Sequence, residues 1–164
     1  MKILLALLLA LGVYFIPSQA RQLNHIHVAQ AVSDNFNQQL ICMAKNIYYE
    51  AASEPHEGKL AVAQVTINRA NSRNYPSDFC GVVYQKVNGT CQFSWVCEKE
   101  YAVRNEYAWE EAMYIAKRAM TESVLHKELS KAKAMFFHAT HVKPEWNNIR
   151  VVKQIGNHIF YTRT

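Results

Sequence analysis

Glu50 is the side chain in this sequence best placed to move a proton. It lies in the stretch Cys42-Met-Ala-Lys-Asn-Ile-Tyr-Tyr-Glu50-Ala-Ala-Ser-Glu54-Pro-His-Glu57-Gly58, after two tyrosines and before two alanines. A carboxyl group among such neighbours loses water, which disfavours its charged form and raises its pKa. A carboxylic acid still protonated near neutral pH can donate a proton to a leaving group. A glutamate on an amphipathic helix is more often a solvated charge, so the reading rests on those neighbours. Glu54, four residues on, is either a second acid of the same site or a helix cap. Glu57 is explained as a helix-start charge favourable to the dipole.

The histidines invite a metal reading that the spacing resists. His138 and His141 are three apart in Ala134-Met-Phe-Phe-His138-Ala-Thr-His141-Val, which reads as a strand. On a strand that spacing sends the two rings to opposite faces, and a mononuclear site would need a third ligand. We therefore expect no metal and no cofactor, with His138 beside a substrate groove and His158 structural in a turn. A zinc-dependent amidase ranks last among the enzyme readings. Gln92-Phe93-Ser94-Trp95 supplies the groove wall: aromatics stack on the apolar faces of sugar rings, and amides bond their acetamido groups. Core packing explains Phe93 equally well. Tyr49 either orients Glu50 or packs.

The elements that must position these residues follow from periodicity and punctuation. Ile41, Ala44, Ile47, Tyr48 and Ala51 mark one face of a helix whose last turn carries Glu50. Pro55 stops that helix near Ser53 and opens a second, with Ser53 or Glu54 as N-cap, running through Leu60, Val62, Val65 and Ile67 to Asn68-Arg69. Phe79 to Val87 is a short helix or a strand, and Asn88-Gly89 is a turn. Glu106 to Leu129 is helical, with an interruption at Met120-Thr-Glu-Ser. Ile155 and Ile159 sit in two short strands around Gly156-Asn157-His158. The sum is a helix-rich α+β domain with a small antiparallel sheet near the C-terminus.

Residues 1–20 read as a signal peptide: Lys2, an uncharged apolar run from Ile3 to Ile16, and Pro17-Ser18-Gln19-Ala20 as a cleavage site. The run is about 14 residues, short of the roughly 20 that cross a bilayer, so no stable span is expected after cleavage. An uncleaved anchor is the alternative. Residues 21–38 are a polar leader, and 39–164 are one domain, expected to be a monomer. Export places Cys42, Cys80, Cys91 and Cys97 where disulfides persist. Three pairings are possible; Cys91 with Cys97 would close a short loop and leave Cys42 for Cys80. The net charge of +5 at pH 7 suits an anionic wall or membrane surface, and the dispersed cations argue against nucleic acid.

Ile47-Tyr-Tyr-Glu-Ala-Ala-Ser-Glu-Pro-His-Glu-Gly58, then Ala61-Val-Ala-Gln-Val-Thr-Ile-Asn-Arg69, resembles the opening motif of SleB-type cell wall hydrolases. The likeness continues in order through Tyr75-Pro76, Cys80, Gln92-Phe-Ser-Trp95, Phe137-His-Ala-Thr140, Pro144, Trp146 and Ile155-Gly-Asn-His-Ile-Phe160, covering Leu40 to Tyr161. Ala52-Ser53 departs from the Arg-Gly often found there. The resemblance implies a lysozyme- or transglycosylase-like domain that cleaves peptidoglycan glycan strands between N-acetylmuramic acid and N-acetylglucosamine. It makes Glu50 the catalytic acid. No aspartate stands out as a partner, since Asp34 is in the leader and Asp78 follows Pro76. A lytic transglycosylase is therefore preferred. The alternatives are a muramidase-type hydrolase using Glu54 or Asp78, and a peptidoglycan-binding module that does not cut.

Overall fold

The computed structural model describes residues 22–98 and 102–164, together with the helical course of the backbone from Lys2. The signal-peptide reading of 1–20 falls on side chains outside the described residues. The chain divides into two units, Met1–Asn37 and Gln38–Thr164. In the first, the leader is helical, and Gln22 to Asn37 are exposed throughout, including Leu23, Ile26, Val28 and Val32. The helix of this region belongs to α1, Lys2–Ala51. No helix among the described residues is long and apolar enough to cross a membrane.

The second unit is built around α2, His56–Ala70, nearly all of whose residues from Gly58 on are buried. The end of α1 packs on one side of it. Met43, Ala44 and Ile47 meet Ala63 and Ile67 together with Ala112, Ile115 and Ala116 of α4, Glu106–Ala119. The expected apolar face is thus shifted: Ile41 is exposed, and Met43 takes its place in the core. The other side of α2, through Val62 and Val65, packs with Leu129 of α5, Lys127–Lys131, and with Ile155 and Phe160 of the sheet. The long C-terminal helix expected from the sequence is indeed interrupted, since Ala119 ends α4 and α5 begins at Lys127.

Two polar side chains on α2, Gln64 fully buried and Asn68 partly so, fix these packings. Gln64 Oε1 accepts from the backbone N–H groups of Leu125 and His126 at 2.7 and 3.0 Å. Asn68 Nδ2 donates to the carbonyls of Leu129 and Ala134. Groups of this kind left unpaired in the interior would each cost about 1–3 kcal/mol, so they specify where the α4–α5–sheet connection runs.

The segment from Phe79 to Val87 is both helix and strand: α3, Phe79–Val83, is followed by β1, Lys86–Val87, and β2, Thr90–Cys91. Asn88 and Gly89 carry φ of 51° and 80°, the pair of left-handed residues that a two-residue hairpin requires. The sheet has the order β3-β5-β4, all antiparallel, with β3 Phe136–Ala139, β4 Ile149–Ile155 and β5 His158–Arg163. Helix-rich α+β with a small C-terminal sheet is the observed architecture.

Disulfides join Cys42 to Cys80 and Cys91 to Cys97. The first spans 38 residues and ties the end of α1 to α3; the second spans 6 and closes the loop around a 3-10 turn, Ser94–Val96. Chain-entropy arguments put the long loop at about 4 kcal/mol and the short one at about 2 kcal/mol. Urea denaturation should therefore show Cys42→Ala/Cys80→Ala losing more stability than Cys91→Ala/Cys97→Ala; the reverse order would contradict this assignment of the cross-links.

Candidate active site

Glu50 sits on the last turn of α1, largely buried, where α1 meets α2 and the aromatic loop. Its position is set one turn earlier by Asn46, which is fully buried. Asn46 Nδ2 donates to Thr66 Oγ1 of α2 at 3.1 Å, and its Oδ1 accepts from Trp95 Nε1 at 3.2 Å. One side chain thereby locks α1 to α2 and to the disulfide-closed loop. Tyr48 is held likewise, its hydroxyl accepting from the backbone N–H groups of Arg104 and Asn105.

Burial raises the Glu50 pKa from 4.5 to about 7. The positive charge of Arg69 opposes that rise, and the negative charge of Glu98 adds to it. Arg69, on the last turn of α2, is itself buried, and burial lowers its pKa. Its Nε donates to the Met135 carbonyl at 2.8 Å, and its guanidinium lies over the rings of Phe93 and Tyr75 at 4.9 and 5.3 Å. The Nη1 atom is buried with no hydrogen-bond partner among the described residues. Desolvation outweighs attraction, so Glu50 stays protonated up to neutrality while a cation stands by for its ionised form.

Glu54 is not the N-cap of α2. That position is Pro55, and no side chain caps the helix. The Glu54 carboxylate instead accepts from the backbone N–H of Asn157 at 2.8 Å and from Asn157 Nδ2 at 3.1 Å, while Lys59 Nζ donates to its carbonyl. It pins the β4–β5 turn to the α1–α2 corner. Gly156 is required there: its φ is 56°, and a Cβ would run into Glu54 Oε2. Asp78 is also occupied, accepting from Gly81 N–H as the cap of α3 and from Gln39 Nε2. His158, beside this turn, has its pKa lowered by burial.

The expected groove wall divides. Phe93 and Trp95 are both buried, so core packing, the alternative reading of Phe93, holds for each of them. Trp95 stacks on Tyr49 with centroids 4.6 Å apart, and Phe93 lies under the Arg69 guanidinium, so both form the backing of the site. Ser94 is exposed, and Gln92 lines an open groove described below. Tyr49, Tyr48, Ala52, Ala102 and Arg104 line a shallow depression of about 370 Å³ next to Glu50 along the helix. His138 is turned the other way. Its neighbour Phe137 packs with Phe93 and Phe160, so the alternation of the strand puts His138 on the opposite face. There it stacks on Tyr161, hydrogen-bonds its hydroxyl at 2.7 Å and meets the edge of Trp146. Among the described residues no group of three His, Cys, Asp or Glu is arranged to hold a metal.

Two charged residues of the site carried no assigned role in the sequence reading. Arg69 closes the Asn-Arg pair of the motif, but a helix-end arginine ordinarily looks solvated. Glu98 follows Cys97, and only the cross-linked loop brings it within electrostatic reach of Glu50.

Comparison with known proteins agrees with this architecture. The spore cortex-lytic enzyme of Oceanobacillus iheyensis is 32% identical over 136 residues, covering 82% of this chain and 44% of the relative. That of Bacillus subtilis is 26% identical over 145 residues, covering 88% and 44%. This chain thus spans less than half the length of these curated relatives. The catalytic domain of the germination-specific lytic transglycosylase SleB from Bacillus anthracis superposes with a TM-score of 0.57 at 25% identity, over 76% of this chain and 93% of that one. The SleB catalytic domain of Bacillus cereus, at 24% identity and a TM-score of 0.55 over 77% and 91%, shares the fold. The sequence profile described as Cell Wall Hydrolase matches residues 53–161, and the chain belongs to that family.

Proposed function

We propose that this chain cleaves the glycan strands of peptidoglycan between N-acetylmuramic acid and N-acetylglucosamine, as a lytic transglycosylase with Glu50 as its acid and base. What carries this reading is the position of the Glu50 carboxyl, largely withdrawn from water so that desolvation pushes its pKa up to about 7, within electrostatic reach of the buried Arg69. Protonated Glu50 donates to the glycosidic oxygen as the C1–O bond breaks and oxocarbenium character develops. The resulting carboxylate is supported by Arg69. It then takes the proton of the muramic acid C6 hydroxyl, whose oxygen bonds to C1 and yields a 1,6-anhydro end. A pKa near neutrality serves both steps. The depression lined by Tyr48 and Tyr49 offers aromatic surface to an adjoining sugar. The lytic activity named for the Bacillus anthracis domain supports the same reading. Two disulfides suit an exported setting.

One observation favours a second reading. Glu54 and Asp78 are tied up in structural hydrogen bonds, but Glu98 is exposed and acts electrostatically on Glu50. As a base it would direct water to C1 and give hydrolysis.

Mass spectrometry of fragments released from purified peptidoglycan separates the two. The wild type is expected to release anhydro-muropeptides, Glu50→Gln about 10²–10⁴-fold fewer, and Glu98→Gln the same product at a similar rate. Reducing-end products that vanish in Glu98→Gln would establish hydrolysis instead.

The raised pKa also has a cost in stability. Folded Glu50 holds its proton more tightly than the unfolded chain, so stability falls as pH rises from 4.5 to about 7, and the loss is complete above that. Glutamine carries no such charge. Urea denaturation should find Glu50→Gln more stable than wild type at pH 8, by up to about 3 kcal/mol, and equal to it at pH 4.

A further inference from the structure

A larger open groove, about 750 Å³, runs beside the site without Glu50 in its lining. One wall carries two cations at the same end of the sheet. Lys133 and Arg163 both line it: the Thr162 hydroxyl donates to the Lys133 carbonyl at 3.2 Å, tying the Lys133 backbone to β5, and the Arg163 guanidinium rests on the Phe136 ring. The facing wall is neutral and amide-rich: Asn74 and Tyr75 from the loop after α2, and Gln85 and Gln92 at the base of the β1–β2 hairpin. No Asp or Glu lines the groove among the described residues. Gln85 Oε1 is buried there with no hydrogen-bond partner among them.

We propose that this groove binds the short peptides attached to the glycan strand, their free carboxylate meeting Lys133 and Arg163 and their amide groups meeting Gln85, Gln92 and Asn74. The proposal rests on the reading of the chain as a peptidoglycan enzyme. Charge placement selects this ligand. A polyphosphate would call for cations repeated along both walls, whereas here paired cations face amides. A glycan stripped of its peptides keeps one lactyl carboxylate on each muramic acid but presents no amide chain to the facing wall. The groove also shares a boundary with the Glu50 site. Tyr75 and Met135 line it, and Arg69 stacks on the first and donates to the carbonyl of the second. A peptide seated in it therefore registers the strand against Glu50.

Co-sedimentation with insoluble sacculi tests this, using the full chain carrying Glu50→Gln so that binding is read without cleavage. Binding to intact sacculi is expected to be about tenfold tighter than to sacculi whose peptides an amidase has removed. Adding Lys133→Glu and Arg163→Glu should abolish that preference and leave binding to the peptide-free glycan unchanged; Arg163→Gln alone should give a partial loss. Equal binding to both sacculi, or a preference that survives the charge reversal, would overturn the proposal. A preference that follows wall-linked phosphate polymer rather than peptide would overturn it too. The parallel wild-type digest keeps the two readings apart. Fragments without a peptide preference would remove the groove assignment and leave cleavage standing. A preference without fragments would do the opposite.

Discussion

A carboxyl group taken out of water at the end of a helix is the constraint around which this domain is arranged. Left to solvent, Glu50 would be ionised at neutral pH and useless as an acid. Burial reverses that, and the nearby Arg69 keeps the reversal moderate, leaving the group near pH 7. Both partners are expensive to bury. The packing that encloses them must hold against that cost, and it does so with apolar contacts and satisfied polar groups placed within one turn of the site.

The supports are specific. Asn46 joins α1, α2 and Trp95 through two buried hydrogen bonds. Glu54 holds the β4–β5 turn at the corner directly after α1, which is why a glycine is needed opposite it. The Cys42–Cys80 bond fixes the same helix from its other side. The two glutamates four residues apart thus divide the work: burial suits the first to proton transfer, and two donors to its carboxylate commit the second to architecture.

Much of this was legible in the sequence because it follows from local rules. Periodicity located α2 and the end of α1, though not the helical course of the polar leader before it, Pro55 located the corner, and Asn88-Gly89 and Gly156-Asn157 located the hairpins. The apolar neighbours of Glu50 indicated a desolvated acid. What escaped depends on contacts distant in the chain. That Trp95 faces inward follows from Tyr49 covering it, which no local pattern encodes. His138 faces away because Phe137, one residue before it, is claimed by the core, and the strand alternates. The partner of Glu54 is Asn157, 103 residues on. Glu98 enters the site through a disulfide loop whose pairing spacing alone left open.

The central claim is that Glu50 is protonated at neutral pH because the fold removes it from water. Titrating glutamate side-chain carboxyl carbons by NMR, with Glu50→Gln to assign the resonance, tests it most directly. The account predicts a midpoint near 7 for Glu50. A midpoint near the ordinary 4.5 would mean that the group is ionised at neutral pH, and the proposed acid would have no proton to give.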